Sequence, residues 1–95
     1  MRNYELALIF DSSLDDKGID EELSKITSLI KGQNAKVADV DKWGIKRLAY
    51  PINKQENGFY CFLYFSGEDE LLEELNRVSN INDKLLRHLI INREK

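Results

Sequence analysis

Lys46 and Arg47 are adjacent cations inside a stretch, residues 42–54, that carries four bases (Lys42, Lys46, Arg47 and Lys54) and no acid. On an extended strand neighbouring side chains point to opposite faces, so the two cannot both face a core, and on an edge strand both reach solvent. Arginine can clamp a phosphate with two parallel hydrogen bonds, and lysine acts as a point charge. Tyr50 lies close by. The chemistry this stretch suggests is phosphate binding. Residues 84–95 add Lys84, Arg87, Arg93 and Lys95 against the single acid Glu94. The acids gather elsewhere, six of them in residues 11–22 and five in residues 65–75. The net charge of −3 argues against nucleic-acid binding by bulk charge. A chain with acidic helices and basic strands can still present a local positive patch.

Other residue types point away from catalysis. His88 is the sole histidine and stands beside Arg87, where packing or hydrogen bonding at the sheet surface is the expected role. No serine or cysteine nucleophile pairs with it. Cys61 is the sole cysteine, which excludes an internal disulfide and a cysteine metal cluster, and it reads as a small core hydrophobe. The carboxylates Asp15-Asp16 and Glu68-Asp69-Glu70 fall where helix N-termini favour negative charge. They lack the glycine and ligand spacing of a calcium loop. Neither a metal nor any other cofactor is expected.

These residues must be positioned by regular elements. Tyr4, Leu6, Leu8 and Phe10 alternate with Glu5, Ala7 and Ile9, the period of a strand. Asp11-Ser12-Ser13 supplies a turn, and Ser13-Leu14-Asp15-Asp16 resembles a capping box. Ile19, Leu23, Ile26 and Ile30 follow at helical spacing, with a helix expected to run to Lys31 and stop at Gly32. Residues 35–52 read as a long strand whose apolar phase (Val37, Val40, Trp43, Ile45, Leu48) slips near Gly44, which predicts a bulge. Pro51 puts the end of that strand at a sheet edge. Residues 53–58 form a polar connection with Asn57-Gly58 as its turn pair. Residues 59–65 form a central strand, and Tyr60, Phe62 and Tyr64 are assigned to its solvent side. Ser66-Gly67-Glu68-Asp69 repeats the capping pattern. Leu71, Leu72, Leu75 and Val78 stripe a second helix that stops near Asn80, and residues 85–91 form a last strand.

The order β-α-β-β-α-β predicts an α+β, ferredoxin-like fold, a four-stranded antiparallel sheet with two helices on one face. At 95 residues the chain suits one domain, 1–95. No stretch is long and apolar enough for a membrane span and the start does not read as a secretory signal, so a cytoplasmic protein is expected.

Two resemblances add to this. Residues 57–64 share Gly58, Phe59 and Tyr64 with the third-strand pattern of the RNA recognition motif. Cys61 stands where that motif has its central stacking aromatic and Asn57 where it has a base, so base stacking on the sheet is not expected. The segment from Trp43 through Lys46-Arg47-Leu48-Ala49-Tyr50-Pro51-Ile52 to Lys54 and Gly58 resembles the signature of the bacterial small-subunit ribosomal protein S-six family. Met1-Arg2-Asn3-Tyr4-Glu5 resembles that family's opening, and the likeness covers nearly the whole chain. The resemblance implies a ribosome-associated protein that joins ribosomal protein S-eighteen and binds the central domain of small-subunit ribosomal RNA. It makes Arg2, Lys46, Arg47, Lys54 and Arg87 candidate rRNA contacts. Trp43, Tyr60, Phe62 and Tyr64 become candidate partner contacts. Some members carry a longer acidic C-terminal tail, and no function of such a tail is expected of a sequence that stops at Lys95.

Two other functions fit the topology. An acylphosphatase-like hydrolase needs a glycine-rich phosphate loop with an arginine after the first strand, and Asp11-Ser12-Ser13 has neither. A ferredoxin-like oligomeric or ligand-sensing module would self-associate through its open sheet or edge.

Overall fold

The computed structural model describes residues 2–52 and 54–93. The elements are β1 (Arg2–Asp11), α1 (Asp16–Gly32), β2 (Lys36–Ile52), β3 (Gln55–Gly67), α2 (Asp69–Asn80) and β4 (Leu85–Asn92). Met1 of the family-like opening, Asn53 of the expected connection, and Glu94 and Lys95 of the last basic stretch lie outside the described residues.

The alternation in β1 sets the layers. Tyr4, Leu6, Leu8 and Phe10 stand opposite Phe65, Leu63, Cys61 and Phe59 of β3, and seven of these eight side chains are buried. Ile19, Leu23, Ile26 and Ile30 of α1 and Leu71 and Leu75 of α2 join the same cluster, so both helices cover one face. Fully burying one such side chain contributes about 1.5–3 kcal/mol. The sheet order is β2-β3-β1-β4, with all neighbours antiparallel. This is the expected ferredoxin-like architecture. The two most apolar strands are central, and Pro51 lies on an edge strand.

Four local expectations are corrected. The N-cap of α1 is Asp15, whose Oδ1 accepts the Gly18 N–H at 2.7 Å, and not Ser13. The Ser13 N–H instead donates to Asp11 Oδ1 at 2.9 Å. Gly32 is the last helical residue. The left-handed conformation falls two residues later on Asn34 (φ 59°), a residue type that tolerates it. The capping pattern of Ser66 resolves to Glu68 at the N-cap of α2.

The Asn57-Gly58 pair is not a turn. Asn57 stands opposite Arg47 and Gly58 opposite Lys46 within the β2–β3 ladder, which closes at Ile52 and Gln55, and Lys54 takes a positive φ of 66°. Gly58 is needed for a close approach. A Cβ there would lie 2.4 Å from Ile9 Cγ2. The bulge expected near Gly44 is present, with φ of 89° and a register shift between Lys42 and Gly44.

Candidate nucleic-acid interface

The pairing register places Tyr60, Phe62 and Tyr64 of β3 opposite Ile9, Ala7 and Glu5 of β1, on the side away from the core cluster. Leu89 and Ile91 of β4 continue the same rows and are exposed. Trp43 packs its ring on Phe62, centroids 4.5 Å apart, and donates its Nε1–H to Asp41 at 2.9 Å. The four expected partner contacts thus form one surface, with Trp43 54% exposed. Ala7, Ile9, Arg87, His88 and Leu89 line a shallow hollow of about 260 Å³ between β1 and β4. Phe59 and Cys61, in the stacking register of the RNA recognition motif, stand opposite core residues of β1, so that likeness is out of phase with the open face.

Four of the five expected rRNA contacts gather toward one end of the sheet. Lys46 and Arg47 stand opposite Gly58 and Asn57, Lys54 sits at the hairpin tip, and Arg87 lies opposite Ile9. All four are exposed, and none takes part in an ion pair among the described residues. Arg2 is placed apart. It pairs with Gly67 at the other end of β1, about 30 Å away at the rise of an extended strand.

Lys42, counted in the basic stretch, is engaged by Asp20 of α1. Lys25 and Lys84 are held by Glu22, and Arg77 by Glu74. These four cations meet carboxylates; the hairpin cations and Arg87 do not, and among the described residues neither do Lys17, Lys31 and Lys36. Glu56 borders the groove formed by Arg47 and Tyr50.

Sequence reasoning missed three features. Arg87 donates an N–H to the Tyr50 hydroxyl, with its guanidinium 5.8 Å from the ring centroid. Arg93 lies over the Tyr64 ring at 4.8 Å while its backbone N–H donates to Asn3 O at 2.9 Å. Leu48 is buried against the sheet. Only the Leu48-Ala49-Tyr50-Pro51 run hinted at any of these, and nothing in one dimension links residue 50 to residue 87.

Asp11 and His88 are each held in local contacts. Asp11 is held below the usual carboxylate range, first by the Ser13 backbone N–H and then by Gln55. Its two oxygens accept from the Ser13 backbone N–H at 2.9 Å and from the Gln55 side-chain amide at 2.8 Å. His88 is half-buried, its Nε2 3.0 Å from Asn76 Oδ1 of α2, and burial pushes its pKa down. Among the described residues no group of three His, Cys, Asp or Glu side chains is placed to hold a metal ion. No described helix is long and apolar enough to cross a membrane.

The sequence pattern of the family described as Ribosomal protein S6 matches residues 3–92. The chain belongs to this family. It is 40% identical over 95 residues to the small ribosomal subunit protein bS6 of Clostridium novyi, covering all of both chains. It is 41% identical to the bS6 protein of Clostridium acetobutylicum, again over the full length of both. The crystal structure of 30S ribosomal protein S6 from Thermotoga maritima superposes with a TM-score of 0.90 at 22% identity, over 97% of this chain and 87% of that one. At that identity the likeness concerns the fold, and it agrees with the strand order found here.

Proposed function

We propose that this S6-family chain is a structural, non-catalytic component of the small ribosomal subunit, working as one domain. It binds the central domain of small-subunit ribosomal RNA through Lys46, Arg47, Lys54 and Arg87, with Arg2 making a separate contact. Ribosomal protein S-eighteen docks on the open face through Trp43, Tyr60, Phe62 and Tyr64.

The observation that carries this reading is the gathering of four unpaired cations toward one end of the sheet. Lys46, Arg47, Lys54 and Arg87 are exposed there with no ion pair among the described residues, whereas Lys42 of the same basic stretch is engaged by Asp20; Lys17, Lys31 and Lys36 are also unpaired but lie on α1 and at the start of β2. A cation free of a carboxylate can release counterions from RNA on binding, which gives affinity its salt dependence. The open face supports the partner reading because Trp43, Leu89 and Ile91 leave apolar surface in water beside an aromatic row.

A net-acidic chain with few phosphate contacts binds RNA weakly alone and more tightly with its partner. The test is a titration of small-subunit ribosomal RNA with the full chain at graded salt, with and without S-eighteen. Tighter binding with the partner, and a salt slope of about 0.7–0.9 for each phosphate contact, is expected. Equal affinity with and without the partner contradicts the reading.

A further inference from the structure

The end of β2 leaves the regular ladder. Arg47 stands opposite Asn57 and Ile52 opposite Gln55, so residues 48–51 face the single residue Glu56. The surplus must bow out of line, and Gly58 decides where it goes. Leu48 Cδ2 lies 3.3 Å from the position a Gly58 Cβ would take, beside Ile9 Cγ2 on the open face. Leu48 fills that space and is only 7% exposed, against exposed neighbours on both sides.

Two residues further on, Tyr50 meets Arg87. β2 and β4 are opposite edges of the sheet, three strand spacings apart, or about 14 Å. Side chains of the two edges meet on the open face, where Leu48 sits beside Gly58 and Ile9 and Arg87 stands opposite Ile9. The contact ties a β4 cation to the strand that carries Lys46 and Arg47.

We propose that Tyr50 is a positioning residue of the RNA site: its hydroxyl and ring hold the Arg87 guanidinium beside Lys46 and Arg47, so that the three cations meet one RNA backbone. This rests on the RNA-binding reading above. An arginine that binds phosphate loses side-chain freedom, and one already held by Tyr50 has lost much of it in the free protein. The hydrogen bond to Tyr50 occupies one N–H and leaves others of the guanidinium fork for phosphate oxygens. Tyr50 is 54% exposed, so its hydroxyl contributes little to the core.

The test titrates small-subunit ribosomal RNA, with saturating S-eighteen, against four variants of the full chain across a salt series: Tyr50→Phe, Arg87→Gln, the two combined, and Lys46→Gln. Tyr50→Phe keeps the ring and is expected to leave the thermal midpoint unchanged while weakening RNA binding about two- to tenfold. Arg87→Gln is expected to weaken binding further and to lower the salt slope by about 0.7–0.9. The combined variant should bind no more weakly than Arg87→Gln alone, because the hydroxyl acts through the guanidinium. Full additivity of the two losses overturns the positioning role, as does wild-type affinity for Tyr50→Phe when Arg87→Gln is impaired. If neither Arg87→Gln nor Lys46→Gln changes affinity or slope, the RNA reading of this patch fails, and the role of Tyr50 fails with it.

Discussion

Asn82 donates a side-chain N–H to Glu22 Oε1 at 2.8 Å, joining α1 to the turn that leads into β4. The Glu22 side chain is 4% exposed, and its other oxygen lies 3.2 Å from Lys25 Nζ and 3.9 Å from Lys84 Nζ. Burial pushes this carboxyl up, but hydrogen bonds from Asn82 and Lys25 and the charges of Lys25 and Lys84 outweigh it, leaving the pKa below the ordinary value of 4.5. A depressed carboxylate pKa stabilises the fold at pH above the unfolded value, and that contribution disappears as pH falls through the folded value. Glu22→Gln should therefore cost about 1–3 kcal/mol at pH 7. The gap to wild type should narrow once the pH is well below 4.5. Denaturant unfolding at neutral and acid pH measures both, and equal midpoints at pH 7 contradict the role given to the pair.

Gly58 and Ile9 are in a similar relation of necessity. A methyl at residue 58 cannot coexist with Ile9 Cγ2 at 2.4 Å, nor comfortably with Leu48 Cδ2 at 3.3 Å. Gly58→Ala should destabilise the protein by about 1–3 kcal/mol through overpacking. Ile9→Ala removes the clashing carbon, so the double variant should be more stable than the sum of the single losses implies. Strict additivity in denaturant melts would show that the clash is relieved elsewhere.

The same glycine shows where sequence reading stops. Asn-Gly between two strand patterns is a strong turn signal, yet here the glycine serves tertiary packing, and the two demands look alike in one dimension. The alternation from Tyr4 to Phe10 and the helical spacing of Ile19, Leu23, Ile26 and Ile30 were legible because each period reflects one buried face. The phase slip at Gly44 was legible too, although Trp43 and Ile45 on either side of it are exposed. The charges of Lys46, Arg47 and Arg87 could be read directly. That Asp20 engages Lys42, or that Tyr50 reaches Arg87, could not, because both depend on how strands register and where β2 bows.

Cys61 lies in the core at 0% exposure, opposite Leu8 and Lys42, and burial pushes its thiol up to about 11. The thiolate is the reactive form. A maleimide or disulfide reagent at pH 8 should leave the native protein unmodified and label it completely in denaturant. The labelling rate under native conditions should follow global unfolding. Modification at the rate of a free thiol in the folded protein would contradict the placement of this residue.

Lys46 and Arg47 are exposed and belong to no ion pair among the described residues, so replacing them removes no intramolecular contact of that kind. Surface changes of this type usually alter stability by less than about 0.5 kcal/mol. The combined variant Lys46→Glu and Arg47→Glu should therefore melt like the wild type. Its RNA affinity should collapse, because two phosphate contacts are lost and two repulsions are added. The neutral pair Lys46→Gln and Arg47→Gln isolates the first effect and should lower the salt slope by about 1.4–1.8. Lys25→Gln is the control: that cation is engaged by Glu22, so the variant should lose some stability and keep its RNA affinity. Incorporation into small subunits, read by sedimentation of tagged variants in cells, should follow the same order. Normal incorporation of the charge-reversed pair would mean that RNA is met elsewhere on the sheet, with the end bearing Arg2 the first place to look.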